Sequence, residues 1–193
     1  MKQRAKELLE HGNHLFSKRS SLLSTWQEIA EYFYYERANF TGERSAGSEY
    51  SQYSITSIPA LHRREMANLV QGMLRPRDKQ WFEPRLGYDD MNEKTEVQRV
   101  TEHIGDVMKR AMYDRHTNFA NATKIGDHDF VTFGQCILTA EVDRGSNMLL
   151  YRDWHLKDVA WSNDHRGVID TIHHNKVEQA RNLVRQYPKT VSP

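Results

Sequence analysis

The hydrophobic period of the chain changes once, at Gly134, and that change sets the fold class. Before it, apolar residues recur at threes, fours and sevens, the spacing of one face of an α-helix. After it, Cys136, Leu138, Ala140 and Val142 alternate with Gln135, Ile137, Thr139 and Glu141, the period of two that belongs to a strand. Helices first and strands after is the order of an α+β chain, and it argues against the βαβ alternation of a nucleotide-binding sheet.

Within the helical part, Leu8, Leu15, Leu22, Trp26, Ile29 and Phe33 predict a long helix from Gln3 to about Glu36, with a break near Gly12 or Ser20. Arg37 to Ser57 has no period and reads as a long loop. Ser57 as N-cap and Pro59 in the first turn predict a second helix to Leu74, with Ile58, Leu61, Met66, Leu69, Val70 and Met73 as its buried stripe and Pro76 as its stop. Trp81 to Leu86 is a short extended segment, and Trp81 is expected to be buried against that helix. A third helix starts near Asp89 or Asp90 and carries the clearest amphipathic stripe: Val97, Val100, Ile104, Val107 and Ala111. Asn118 to Phe133 is a fourth, weakened by Gly126 and the Asp127-His128-Asp129 run. Two antiparallel hairpins follow, the first turning at residues 143–146 and the second at 163–167, and a short helix from Val177 to Gln186 closes the chain before Pro188.

With 27 Lys+Arg against 26 Asp+Glu the formal charge is +1, so no whole-chain field draws the protein to nucleic acid or to a lipid surface. The longest apolar runs are four residues, far below the roughly 20 that span a bilayer. The N-terminus lacks the apolar stretch of a signal peptide, and the single Cys136 cannot form an internal disulfide, so the expected environment is a cytosol.

No glycine is followed by lysine and no Gly-x-Gly pair occurs, which removes the phosphate loop and the dinucleotide fingerprint. Three histidine groupings could seed a metal site: His11 with His14, Asp127-His128-Asp129, and His173-His174. None supplies the three or four converging ligands that such a site needs, so a histidine-rich metal-dependent hydrolase is an alternative rather than the reading, and no cofactor is implied. Cys136 could pair with His128 as nucleophile and base, but its place on the apolar face of a strand predicts an inert buried thiol. Arg63, Arg64, Arg75, Arg77, Lys79 and Arg85 put six positive charges in a short stretch, a patch that could contact phosphates through Arg75, Arg77 and Lys79. A small nucleic-acid-binding protein is therefore a second alternative, set against a solvated turn after a helix. The Tyr32-Phe33-Tyr34-Tyr35 run reads as helix packing rather than a base-stacking platform. The residues alone give a non-enzymatic α+β protein.

One segment adds to this. Leu61 to Phe82, LHRREMANLVQGMLRPRDKQWF, resembles the portal, or head-to-tail connector, proteins of short-tailed bacteriophages: a helix with an Arg runs into a Gly-Met-Leu sequence, a Pro turn and a Trp-Phe pair. The matching residues are Arg64, Gly72, Met73, Leu74, Pro76, Trp81 and Phe82, followed in order by the Asn118-Phe119 segment, the Phe133-Gly134 pair and the hairpins ending GVIDTIHHN. The likeness runs from about Leu8 to Asn175.

The resemblance implies a structural virion protein at the portal vertex, assembled in the host cytoplasm into a ring of twelve subunits through which double-stranded DNA is packaged and ejected. It implies capsid and scaffold proteins, the packaging terminase and a tail adaptor as partners, with no membrane involved. It also implies that residues 1–193 form a single wing-like region: 1–134 mainly helical, 135–175 antiparallel strands, 176–193 a short helix and tail. The stem, clip and crown of longer family members would follow the present C-terminus, as in a shortened prophage gene or a cut chain.

Overall fold

The elements run α1 (Lys2–Lys18), α2 (Ser20–Phe33), α3 (Ile58–Leu74), α4 (Asp89–Asn92), α5 (Thr95–Met112), α6 (Phe119–Phe133), β1 (Leu138–Asp143), β2 (Met148–Asp153), β3 (Val159–Asn163), β4 (Ile169–His174) and α7 (Ala180–Gln186), an α+β order. The computed structural model describes residues 2–43, 45, 47, 55–143 and 147–187; most of the turn at 143–146 and part of the loop before Ser57 lie outside the described residues. The chain forms two compact units, one from Met1–Ser21 with Leu156–Pro193 and one from Leu22–His155.

In the first unit α1 packs on the hairpin of β3 and β4, which pair antiparallel with Val159 opposite His174 and a register shift between Ser162 and Asn163. Arg19, just past the end of α1, ties this unit together. Its guanidinium donates to the carbonyls of Leu156 at 3.1 Å, Lys157 at 3.3 Å and Val159, and it lies over the rings of Phe16 and Trp161. Leu15, Leu156, Val159 and Ala160 form the apolar centre. The hairpin turn is held by Asp164, whose Oδ1 accepts from Arg166 N–H and Val168 N–H, with Gly167 at φ 80°.

The second unit is built around α6. Trp26 of α2 packs on Phe40, Ala30 and Ala38 are buried, and Phe133 closes on the Trp26 and Phe40 rings at 6.3 and 5.2 Å. At the other end of α6, Phe119 meets Tyr113 and Tyr151 edge-on and lies parallel to Trp81. Gly126 lets β1 approach: a β-carbon there would lie 3.2 Å from both δ-carbons of Leu138. β1 and β2 pair antiparallel from Leu138 opposite Asp153 to Asp143 opposite Met148.

Four expectations are corrected. Most of the stripe expected to be buried on α3 faces solvent, with Leu69 66% and Met73 82% exposed and Val70 half-buried, while Arg63 and Ala67 are the buried residues of that helix. Trp81 is half-buried and packs on Phe82 and on Phe119 of α6, because the turn after α3 carries the chain across to that helix. Cys136 is exposed and precedes β1 instead of lying in it. The third helix is split into α4 and α5: the Asn92 amide accepts from the N–H of Leu86 and donates to its carbonyl, both at 3.0 Å, and such side-chain bonds compete with helix continuation. The break in the first long helix falls at Arg19, beside the expected Ser20, and the last helix starts three residues later than expected, at Ala180.

These packing differences have measurable consequences. Trp26→Ala empties a site that is 3% exposed and should cost about 3–5 kcal/mol in denaturant unfolding. Met73→Ala should leave the midpoint unchanged, and a comparable loss there would contradict the orientation of α3.

Candidate functional site

Three consecutive residues of α6, Asp127, His128 and Asp129, are buried, and each meets an arginine from a different place in the sequence. Successive residues on a helix point 100° apart, so the run fans out to three neighbours. Arg75, at the C-cap of α3, donates to both carboxylate oxygens of Asp127. Arg63, buried in the middle of α3, lies with one terminal nitrogen 2.7 Å from His128 Nδ1, donates through Nε to the Phe33 carbonyl at 3.0 Å and covers the Tyr34 ring at 3.9 Å. Arg37, after α2, grips Asp129 through Nε at 3.1 Å and Nη2 at 2.9 Å, and the same Nη2 reaches Asp153 at the end of β2. The Arg37 carbonyl in turn accepts from His155, whose ring packs on Phe40.

The electrostatics follow from burial and pairing. His128 is lowered to about 4, first by burial and then by the Arg63 charge, so its ring is neutral and its Nδ1 accepts from Arg63. Asp129 is raised to about 7: burial and the nearby Asp153 outweigh Arg37, which must serve two carboxylates. Burial also raises Asp153, whose Oδ1 has no hydrogen-bond donor among the described residues. Burial opposes the Arg37 charge, but Asp129 and Asp153 together hold its pKa above the ordinary value. Although the Cys136 residue is exposed, its thiol is partly shielded from solvent, which raises its pKa, and Asp129, Asp127 and Asp153 add to this, so it is a poor nucleophile at neutral pH.

The arrangement braces; it does not converge on a reacting atom. Among the described residues no three His, Cys, Asp or Glu side chains come together to hold a metal ion. The histidine groupings are rearranged as well: His11 meets His173, with Nδ1 and Nε2 3.1 Å apart, beside Gly12, where a β-carbon would lie 2.9 Å from the His173 ring. Of the motif residues, Arg64, Gly72, Met73 and Leu74 are exposed, Pro76, Trp81 and Phe82 are half-buried, Phe133 joins the Trp26 and Phe40 cluster, and Gly134 caps α6 at φ 72°. Among the expected phosphate contacts, Arg75 is turned inward to Asp127, whereas Arg77 and Lys79 are exposed. The family motif singles out Arg64, whereas the sequence offers Arg63 only as one charge of a basic patch and Arg37 only as the start of a loop. The available signal was the Asp-His-Asp run itself, since charges buried on a helix need partners.

The buried charges of α6 are thus paired with arginines of α3 and of the segment after α2, and Arg37 carries the link on to β2. The chain belongs to the bacteriophage head to tail connecting protein family, whose model matches residues 5–193. A search of curated proteins finds no match. The family places the chain with the phage proteins that link head and tail in the virion, and no helix among the described residues is long and apolar enough to cross a membrane.

The paired titrations give a signed prediction. A carboxyl raised from 3.8 to about 7 makes the folded state bind the extra proton, so its stabilisation is full below 3.8 and is lost as pH rises to about 7. An imidazole lowered from 6.5 to about 4 does the opposite: its stabilisation is present above 6.5 and is lost as pH falls to about 4. The two slopes oppose each other between about 4 and 6.5. Asp129→Asn should therefore make stability rise more steeply with pH in that window than in the parent, and His128→Gln should make it fall. Urea midpoints at pH 4.5 and 6.5, compared between the variants, check the signs.

Proposed function

We propose that the chain is a subunit region of the portal: a twelve-fold ring at one vertex of the phage head, through which double-stranded DNA is packaged and ejected. Further copies of the chain, capsid and scaffold proteins, the packaging terminase and a tail adaptor are its partners. The family match over residues 5–193 carries this reading. Two structural features support it. Apolar faces of α3 (Leu61, Leu69, Met73) and α5 (Val100, Ile104, Val107) are exposed, the condition of helices that complete their packing in an assembly. The near-zero net charge suits a channel component, because a strongly basic wall would hold the duplex it must let pass. The phosphate-loop pattern is absent from the sequence, in keeping with a ring whose motor is a separate protein.

Gold-labelled antibody to the chain should mark one vertex of intact particles, at the head–tail junction. Uniform labelling of the head, or absence from purified particles, would overturn the assignment. Leu69→Asp, at an exposed position, should shift folding stability by no more than about 0.5 kcal/mol yet reduce incorporation into particles. Normal incorporation of that variant would remove the α3 face from the assembly contacts.

A further inference from the structure

Between α3 and α4 the chain crosses α5 and leaves an open cleft of about 580 Å³ against it, lined by Trp81, Phe82 and Glu83 of the crossing segment and by Glu102, Gly105 and Asp106 of the helix. The approach is close because Gly105 is buried and has no side chain: a β-carbon there would lie 2.9 Å from Gln80 Nε2 and 3.2 Å from Pro84 Cδ. Lys109 holds one end of the segment, its ammonium donating to the Lys79 carbonyl at 2.7 Å, and Trp81 holds the middle by lying parallel to Phe119. Three kinds of group in this fixed cleft lack partners. The main chain from Gln80 to Glu83 belongs to no helix or sheet and makes no hydrogen bond among the described residues. The indole Nε1 of Trp81 is buried and likewise has no partner among them, a condition few buried N–H groups are left in. Glu102 and Asp106 stand one turn apart on α5, where like charges repel, and neither forms an ion pair among the described residues; Glu83 has one, with Arg85, on the surface.

From this juxtaposition we infer that the cleft seats an extended segment of a partner protein that carries two arginines in the pattern Arg-x-Arg. Each unpartnered group selects part of that ligand. Main-chain N–H and C=O groups are met together by a second main chain, as when an extended peptide is added alongside a free stretch of backbone. The indole N–H requires an acceptor, which a peptide carbonyl supplies and a polyamine or a metal ion does not. The carboxylates require cations, and beside the Trp81 and Phe82 rings a guanidinium suits better than an ammonium, because it stacks on aromatic faces and bonds carboxylates through a fork. The spacing follows from geometry: one turn of α5 from Glu102 to Asp106 advances about 6 Å. Alternate residues of an extended chain lie on one side of it and are about 6.6 Å apart. Two arginines separated by one residue therefore face Glu102 and Asp106 in register, whereas adjacent arginines point to opposite sides. Beyond Asp106 the surface turns basic, with Arg77, Lys109 and Arg110, so the cationic stretch of the partner is short. The site rests on the placement of these groups and is independent of the portal reading.

The test is fluorescence anisotropy of a labelled peptide, Ser-Gly-Arg-Ser-Arg-Gly-Ser, titrated with the full chain at low salt, where exposed charges are least screened. Glu102→Gln and Asp106→Asn should each weaken binding by about 2–5-fold, the range of one exposed ion pair, and the isomeric peptide with adjacent arginines should lose a similar factor. Glu96→Gln, at the exposed start of α5, should leave the affinity unchanged. Trp81→Phe keeps an aromatic ring and removes the N–H. It should weaken binding by about 2–10-fold, the range of one hydrogen bond, while the urea midpoint of the free chain does not fall. A merely structural indole would move the midpoint and leave the affinity alone. Circular dichroism checks each fold; the two carboxylates are exposed, so their variants carry the result if Trp81→Phe unfolds. Peptide binding that is absent, or unchanged in the variants, overturns the inference. Displacement of the peptide by spermidine at equal charge concentration also overturns it, assigning the cleft to polycations at large. So does self-association of the chain that the carboxylate variants disperse, which would make the occupant a second copy. Particle labelling at the vertex is scored separately, so a failed cleft leaves the connector reading intact and a failed connector leaves the cleft to stand.

Discussion

The second unit depends on one guanidinium shared by two carboxylates. Arg37 joins the segment after α2 to the middle of α6 through Asp129 and to the end of β2 through Asp153, three places in the sequence that no local preference brings together. Burying a single carboxylate without a partner costs several kcal/mol, so the elements gain by meeting in this register and lose by slipping out of it. Arg63 and Arg75 repeat the device from α3, the first on His128 and the second on Asp127. The helix thus acts as a post to which α3 is attached by Arg63 and Arg75, and the segment after α2 by Arg37, which also reaches β2 through Asp153. With few large apolar side chains fully buried, this polar network and the aromatic contacts of Phe119 and Phe133 supply much of the specificity of the arrangement.

Periodicity places most of the helices and both hairpins, because spacing along the chain is a local property, but it does not show the split of α4 from α5 at Asn92. It did not say which faces are covered. On α3 the apolar stripe through Leu61, Leu69 and Met73 was expected inward, yet Arg63 and Ala67 lie against the unit. A stripe shows that a face prefers to leave water; it does not say whether a neighbour in the same chain or another protein covers it. Likewise α6 looked weak by composition, with Gly126 and three polar residues in its middle. Leu138 packed on the glycine and three arginines on the polar run are what make that composition suitable, and neither partner is local. The site's acidic and histidine half was visible as a cluster, whereas its arginine half was scattered over Arg37, Arg63 and Arg75, and only the fold collects it.

The same contrast separates the positive charges that follow α3. Arg75 and Arg77 are two residues apart and look equivalent in the sequence, but the first closes an internal pair and the second opens to solvent beside α5. A patch of basic residues is therefore two populations, one structural and one exposed to solvent. The division is made by the Pro76 turn, whose fixed φ sets the direction in which the chain leaves the helix.

α6 lies between two residues in the left-handed conformation, Asn118 at φ 60° and Gly134 at φ 72°, with Phe119 and Phe133 just inside them anchored in separate aromatic clusters. Its length is consequently fixed in whole residues. A single-residue insertion between those caps would turn one half of the helix by about 100° relative to the other and move it along by about 1.5 Å. The arginines could not follow, since they belong to other elements. In the drift of the gene this stretch is closed to insertions and deletions, however freely its outward-facing letters are exchanged, and changes in length among related phages are expected to collect in the connections on either side of it.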